Sequence, residues 1–171
     1  MDLKKQILKE HSKVNCKRIT KYVGTSKKRF ADLMAVYLEG PYRVTQRAAW
    51  PISYCVEEHP ELIKPHLKKM LNFMKKPCIH VAVKRNTMRL LQFIEIPKNL
   101  QAQVIDQCFE LLTNKKETIA VQVFAMTVLA NISKDIPELK NELRFLIEDR
   151  LPYASAGFIA RAKMVLKGLD K

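Results

Sequence analysis

"TQRAAW", residues 45–50, decides the fold, because segments of the same kind recur down the chain at a constant step. Adding 38 residues repeatedly carries Trp50 to Met88, Met126 and Met164, all large and apolar. The same step carries Thr45 to Val83, Val121 and Ile159, Ile52 to Leu90, Val128 and Leu166, and Val44 to Ala82, Ala120 and Phe158. A second set of columns lies upstream in each unit: Leu33, Leu71, Phe109 and Ile147; Leu67, Ile105 and Leu143; Met70, Cys108 and Leu146. Self-similarity at a period of about 20–50 residues marks stacked supersecondary units, each too small to bury its own apolar face.

Within each unit the apolar spacing is helical. Leu62, Ile63, Leu67, Met70, Leu71 and Met74 fall on one broad face, as do Val83, Met88, Leu90, Leu91 and Ile94. Pro60, Pro97 and Pro137 open helices, where a missing N–H costs nothing. Gly24 and Gly40 fit the residue just past a helix, where positive φ is often needed. The pattern predicts first helices near 26–39, 60–75, 98–113 and 137–150, and second helices near 43–58, 78–95, 117–134 and 154–169. Pro51 removes an N–H inside the second helix of the first unit, so a kink or break is expected there. The fold class is therefore all-α, a right-handed α-solenoid of about four helical hairpins. Its repeats are 26–59, 60–96, 97–135 and 136–171, a single solenoid domain over 26–171. Residues 1–25 are helical in pattern but fit the 38-residue register poorly, and are expected to cap the first hairpin.

Basic residues outnumber acidic ones 31 to 17, a net charge of +14. That balance suggests an anionic partner: nucleic acid, an anionic surface or an acidic protein segment. The four cysteines, Cys16, Cys55, Cys78 and Cys108, form no C-x-x-C pair, so no metal site is expected and mostly buried, reduced thiols are. No secretory leader is evident, and the longest nearly apolar run, 119–132, is shorter than a bilayer span. A cytoplasmic protein is the expectation. His11, His59, His66 and His80 accompany no nucleophile at a catalytic spacing, and no glycine-rich phosphate loop exists. No cofactor and no enzymatic activity are expected, an enzyme of unrecognised type being the last alternative. Glu57 and Glu58 are adjacent, hence splayed, and are expected to end a helix in solvent.

The 38-residue period, the proline at the first helix, and the segments "TQRAAW", "VKRNTM" (83–88), "VQVFAM" (121–126) and "IARAKM" (159–164) resemble the HEAT-repeat family of α-solenoids. The family's basic position is Gln46, Lys84, Gln122 and Ala160 here and its turn Asp is missing, so a regular Asp–Arg ladder is not expected. The blocks "QRAAWPISYC", "HPELIKPH" and "VKRNTMRLLQ" are similar to short bacterial HEAT-like proteins of unassigned activity. The resemblance implies a binding or scaffold module with a protein partner, its second helices lining an inner, concave surface.

On those helices the columns that are not core must face outward. Arg47 continues to Arg85, Val123 and Arg161; Lys84 precedes Arg85, Arg89 follows one turn later, and Tyr54 shares a face with Arg47. Arg47, Tyr54, Lys84, Arg85, Arg89 and Arg161 are the candidate basic strip for an anionic partner. Like charges at i,i+4 weaken a helix slightly, so helix stability does not explain Arg85 with Arg89. The competing expectation is that the six form ties between repeats or are simply solvated. A second basic region covers residues 1–38, with ten Lys or Arg against three acids and Tyr22 interleaved. It suits phosphate contacts without sequence choice, so sequence-nonspecific DNA or RNA binding is the alternative function. DNA alkylation-repeat proteins are similar in fold, but their base-holding aromatics and carboxylate have no counterpart in the strip.

Overall fold

The computed structural model describes residues 1–170, and its regular elements are all helical. It divides into two compact units, the first Met1–Ile94 and the second from Glu95 onward.

The first unit contains α1 (Leu3–Lys9), α2 (Lys13–Val23), α3 (Lys27–Glu39), α4 (Tyr42–Glu58), α5 (Leu67–Phe73) and α6 (Val81–Leu91), with a 3-10 turn over Pro60–Ile63. Asp2, Ser12 and Ser26 accept the backbone N–H groups that open α1, α2 and α3. Helix α4 is the hub: α1, α2, α3, α6 and the 3-10 turn all pack against it. Its sequence explains this, because apolar and small residues make up a broad face of it. Val44, Thr45, Ala48, Ala49, Pro51, Ile52, Ser53, Cys55 and Val56 are all buried. The remaining face, with Arg43, Gln46, Arg47, Trp50, Tyr54 and Glu57, is half-buried or exposed. Ala48 and Ala49, with no side chain beyond Cβ, let neighbours approach.

The second unit contains α7 (Lys98–Thr113), α8 (Ile119–Ile132), α9 (Pro137–Arg150) and α10 (Ala156–Leu169). Helix α8 is its hub, packing on α7, α9 and α10. It too buries a broad face, through Val121, Gln122, Val123, Ala125, Met126, Val128, Leu129 and Ile132. Both hubs are second helices of the 38-residue pattern.

Several expectations change. Helix α4 runs through Pro51 without a break. The ring is buried, and the surrounding helices hold the turn that the lost hydrogen bond would have held. The helix expected over 60–75 is a 3-10 turn followed by the short α5. Gly24 has φ +49°, as expected of a helix end, but Gly40 has φ −72° and is required for space instead. The tryptophan–methionine column is core at Met88 and Met126, half-buried at Trp50, and 70% exposed at Met164. Cys16, Cys55 and Cys108 are buried, whereas Cys78 is exposed, with φ +58°. Burial pushes the Cys16 and Cys55 thiols up to about 12, so neither is a nucleophile near neutral pH.

A Cβ at position 40 would lie 2.4 Å from the Val36 carbonyl oxygen and 2.9 Å from Val44 Cγ1, at the tight α3–α4 corner. Gly40→Ala is therefore expected to destabilise the protein by about 1–3 kcal/mol. Urea unfolding checks it: the midpoint should fall with the slope unchanged.

Candidate interaction surface

The candidate strip separates into residues already engaged and residues facing solvent. Arg47, on α4, sends Nη1 to the Leu8 carbonyl at 3.0 Å and the Ile7 carbonyl at 3.5 Å. These carbonyls end α1 and have no donor within their own helix. The guanidinium satisfies them and places a cation at the negative end of the helix dipole. Arg47 is thus the C-terminal cap of α1.

Arg89, on α6, is a tie to α4. Its Nη2 lies 2.5 Å from Glu57 Oε2, and its Nη1 3.3 Å from Ser53 Oγ. The guanidinium also covers the Tyr54 ring at 4.7 Å and the Phe93 ring at 5.3 Å. Glu57 is therefore not an idle helix end: it neutralises Arg89, which removes the like-charge conflict with Arg85. Tyr54 is half-buried, with Arg89 over its ring and the Trp50 ring edge-on at 6.4 Å. A buried hydrogen-bond set lies beneath. Ser53 Oγ donates to the Trp50 carbonyl at 2.8 Å, and Asn86 Nδ2 to the Ala82 carbonyl at 2.8 Å.

Arg85 is exposed and Lys84 half-buried on α6. Arg85 stands near Arg47 and His11, whose ring packs edge-on against Trp50 at 5.4 Å. Burial, then the charges of Arg47 and Arg85, hold His11 below the ordinary value of 6.5. Arg47, Tyr54, Lys84, Arg85 and Arg89 all lie in the first unit, on α4 and α6. Arg161 lies in the second, on α10, where its Nη1 donates to Thr127 Oγ1 at 2.9 Å.

The second basic region is different in kind. Residues 11–31 contain seven bases and no acid: Lys13, Lys17, Arg18, Lys21, Lys27, Lys28 and Arg29, all exposed. Lys13, Lys17 and Lys21 follow one another at i,i+4 along α2, with mutual repulsion and no helical benefit. Lys27, Lys28 and Arg29 occupy the first turn of α3, the positive end of its dipole, where cations are disfavoured. Only Arg29 has a structural task. Its Nη1 donates to the Tyr22 carbonyl at 2.8 Å and its guanidinium covers the Tyr22 ring at 4.5 Å, closing the end of α2. The other six have no carboxylate partner among the described residues.

The charge is segregated accordingly. Residues 1–94 hold 20 bases and 7 acids, a net +13, while residues 95–171 hold 11 and 10, a net +1. Among the described residues no cluster of three His, Cys, Asp or Glu could hold a metal, and no helix is long and apolar enough to cross a membrane.

Compared with known proteins, the chain matches the family model for a HEAT repeat domain over residues 3–169, so the match takes in α1 and α2. No curated protein and no solved structure matches it.

The depressed His11 value has a definite sign. The folded state binds this proton less readily than the unfolded chain, so stability declines as pH falls through 6.5, and stops declining below the folded value. His66, lowered by burial and then by Lys69, acts in the same direction. In an NMR titration, Arg47→Gln and Arg85→Gln should each raise the His11 pKa and leave His66 unmoved. An unmoved His11 would show that the two arginines do not converge on it.

Proposed function

The chain belongs to the HEAT-repeat family, whose repeats generally serve as protein-interaction scaffolds, and from that premise we propose a non-enzymatic binding module that engages a polyanionic partner through its N-terminal unit. The observation that carries this reading is the acid-free run of exposed bases on α2 and at the start of α3. These cations stand where helix physics disfavours them, at i,i+4 repeats and at a positive dipole end. A stretch of acidic protein chain laid along α2 would relieve both conflicts. Recognition would be by charge and a preformed helical surface, with no bond made or broken. Arg85 and Lys84 extend the positive surface on α6, while Arg47 and Arg89 support it as ties rather than contacts.

Sequence-nonspecific nucleic-acid binding is the second reading, favoured by the same acid-free run, since phosphate contacts need only positive charge. Stacking of bases on Tyr22 is disfavoured, because Arg29 already covers that ring.

Anisotropy with a labelled poly-glutamate peptide and with random DNA and RNA separates the two readings. The triple substitution Lys13→Glu, Lys17→Glu, Lys21→Glu should weaken the preferred polyanion by about tenfold or more near physiological salt. It should leave helicity unchanged, because all three side chains are exposed. Arg89→Ala should instead lower stability by about 1–3 kcal/mol, through lost charged hydrogen bonds. Unchanged polyanion affinity in the triple variant would overturn the reading, and tighter binding of nucleic acid than of the acidic peptide would select the second.

A further inference from the structure

Helix α10 turns one face toward a cleft of about 650 Å³ in the second unit. The face consists of Arg161, Met164, Val165, Gly168 and Leu169, at the i, i+3, i+4, i+7, i+8 spacing of a helical contact surface. The end of α8 and the turn after it form the facing wall. We propose that this cleft receives an amphipathic helix of a partner protein, one with carboxylates flanking its apolar stripe.

Three observations fix the occupant. The first is charge. Lys134, Lys140 and Arg161 line the cleft together with apolar Ala130, Met164, Val165 and Leu169, and no acid lines it. Thr127 Oγ1 holds the Arg161 guanidinium in place there. An apolar floor with a basic border fits an apolar stripe edged by Glu or Asp. The second is Met164. Its column is fully buried at Met88 and Met126, yet here it is 70% exposed. Met164 lines the cleft, so its uncovered side chain joins Ala130, Val165 and Leu169 in offering an apolar stripe a surface to dock on. The third is Gly168. Glycine holds a helix less well than alanine. Nothing local requires it: its φ is ordinary and an added Cβ would meet no atom within 4 Å. What glycine does there is lower the cleft floor, so that a partner backbone can come close.

This inference is independent of the N-terminal surface, and its test separates the two. The full chain, with methionine methyls labelled and Met164 assigned, is titrated with three synthetic peptides. One is an amphipathic helix with leucines at i, i+3, i+4, i+7 and glutamates at the flanks. Another is its lysine-flanked twin, and the third has the acidic composition in scrambled order. The acidic amphipathic peptide should move the Met164 methyl signal, and neither control should, even where the scrambled peptide binds the N-terminal unit. Gly168→Leu should weaken that binding about tenfold, and Lys134→Glu with Lys140→Glu should transfer preference to the lysine-flanked twin. Gly168→Ala should melt no lower than the parent, showing that position 168 tolerates a side chain in the fold. An unmoved Met164 with all three peptides, equal movement with the scrambled one, or unchanged affinity in Gly168→Leu would each overturn the proposal. So would self-association in the ultracentrifuge that Met164→Glu abolishes, which would assign the cleft to a second copy.

Discussion

Packing four helices and a 3-10 turn onto the broad buried face of α4 is the constraint from which the first unit follows. The polar groups on that buried face are cut off from water, so each must find a partner inside. Thr45 Oγ1 reaches back to the Tyr37 carbonyl at 2.9 Å, Ser53 bonds within its own helix, and Arg89 reaches Ser53 from α6. The same packing tolerates Pro51. A proline in an isolated helix removes a bond and pushes the chain apart, but here five packed neighbours hold the turn. Helix α8 repeats the arrangement in the second unit, with Gln122 satisfied by the Asn114 carbonyl at 2.8 Å.

Short helices packed in this way leave many carbonyl ends to satisfy, and the chain uses arginine repeatedly for that purpose. Arg47 closes α1, Arg29 closes α2, and Arg150 closes α7 through the Leu112 carbonyl while stacking on Phe158 at 4.5 Å. The guanidinium suits this work, since it offers several donors in a rigid plane and adds a cation at the negative end of a helix. This divides the basic residues into two populations. Arginines are largely absorbed by architecture. Most of the lysines of α2 and of the first turn of α3 have no architectural task, and they give the first unit its charge.

The two populations could not be told apart in sequence. The 38-residue columns located α4, α6, α8 and α10 to within a few residues, because apolar periodicity is written locally. They also selected Arg47 and Arg89 as outward-facing, whereas both are half-buried and tied to other helices. What they could not show is that a long side chain crosses to another helix. Arg47 meets Leu8 across 39 positions and Arg89 meets Glu57 across 32. No local pattern encodes such pairs. Glu57 ends α4 in solvent as expected, but its pairing with Arg89 has no local signal. The acid-free run over 11–31, by contrast, was legible directly, since charge is counted rather than placed.

By itself, then, the sequence determined an all-helical repeat built on second helices and the concentration of positive charge near the N-terminus. These follow from period, punctuation and composition, which are read along the chain without knowing which helices pack together. Tertiary structure alone decided which bases are ties and which face water, that Pro51 sits in an unbroken helix, and that Met164 leaves a column otherwise buried. It also decided that Gly168 stands beside open space. Each of these depends on what neighbouring helices bring to a position, and the reach of a side chain across a helix interface is set by packing, not by its place in the chain.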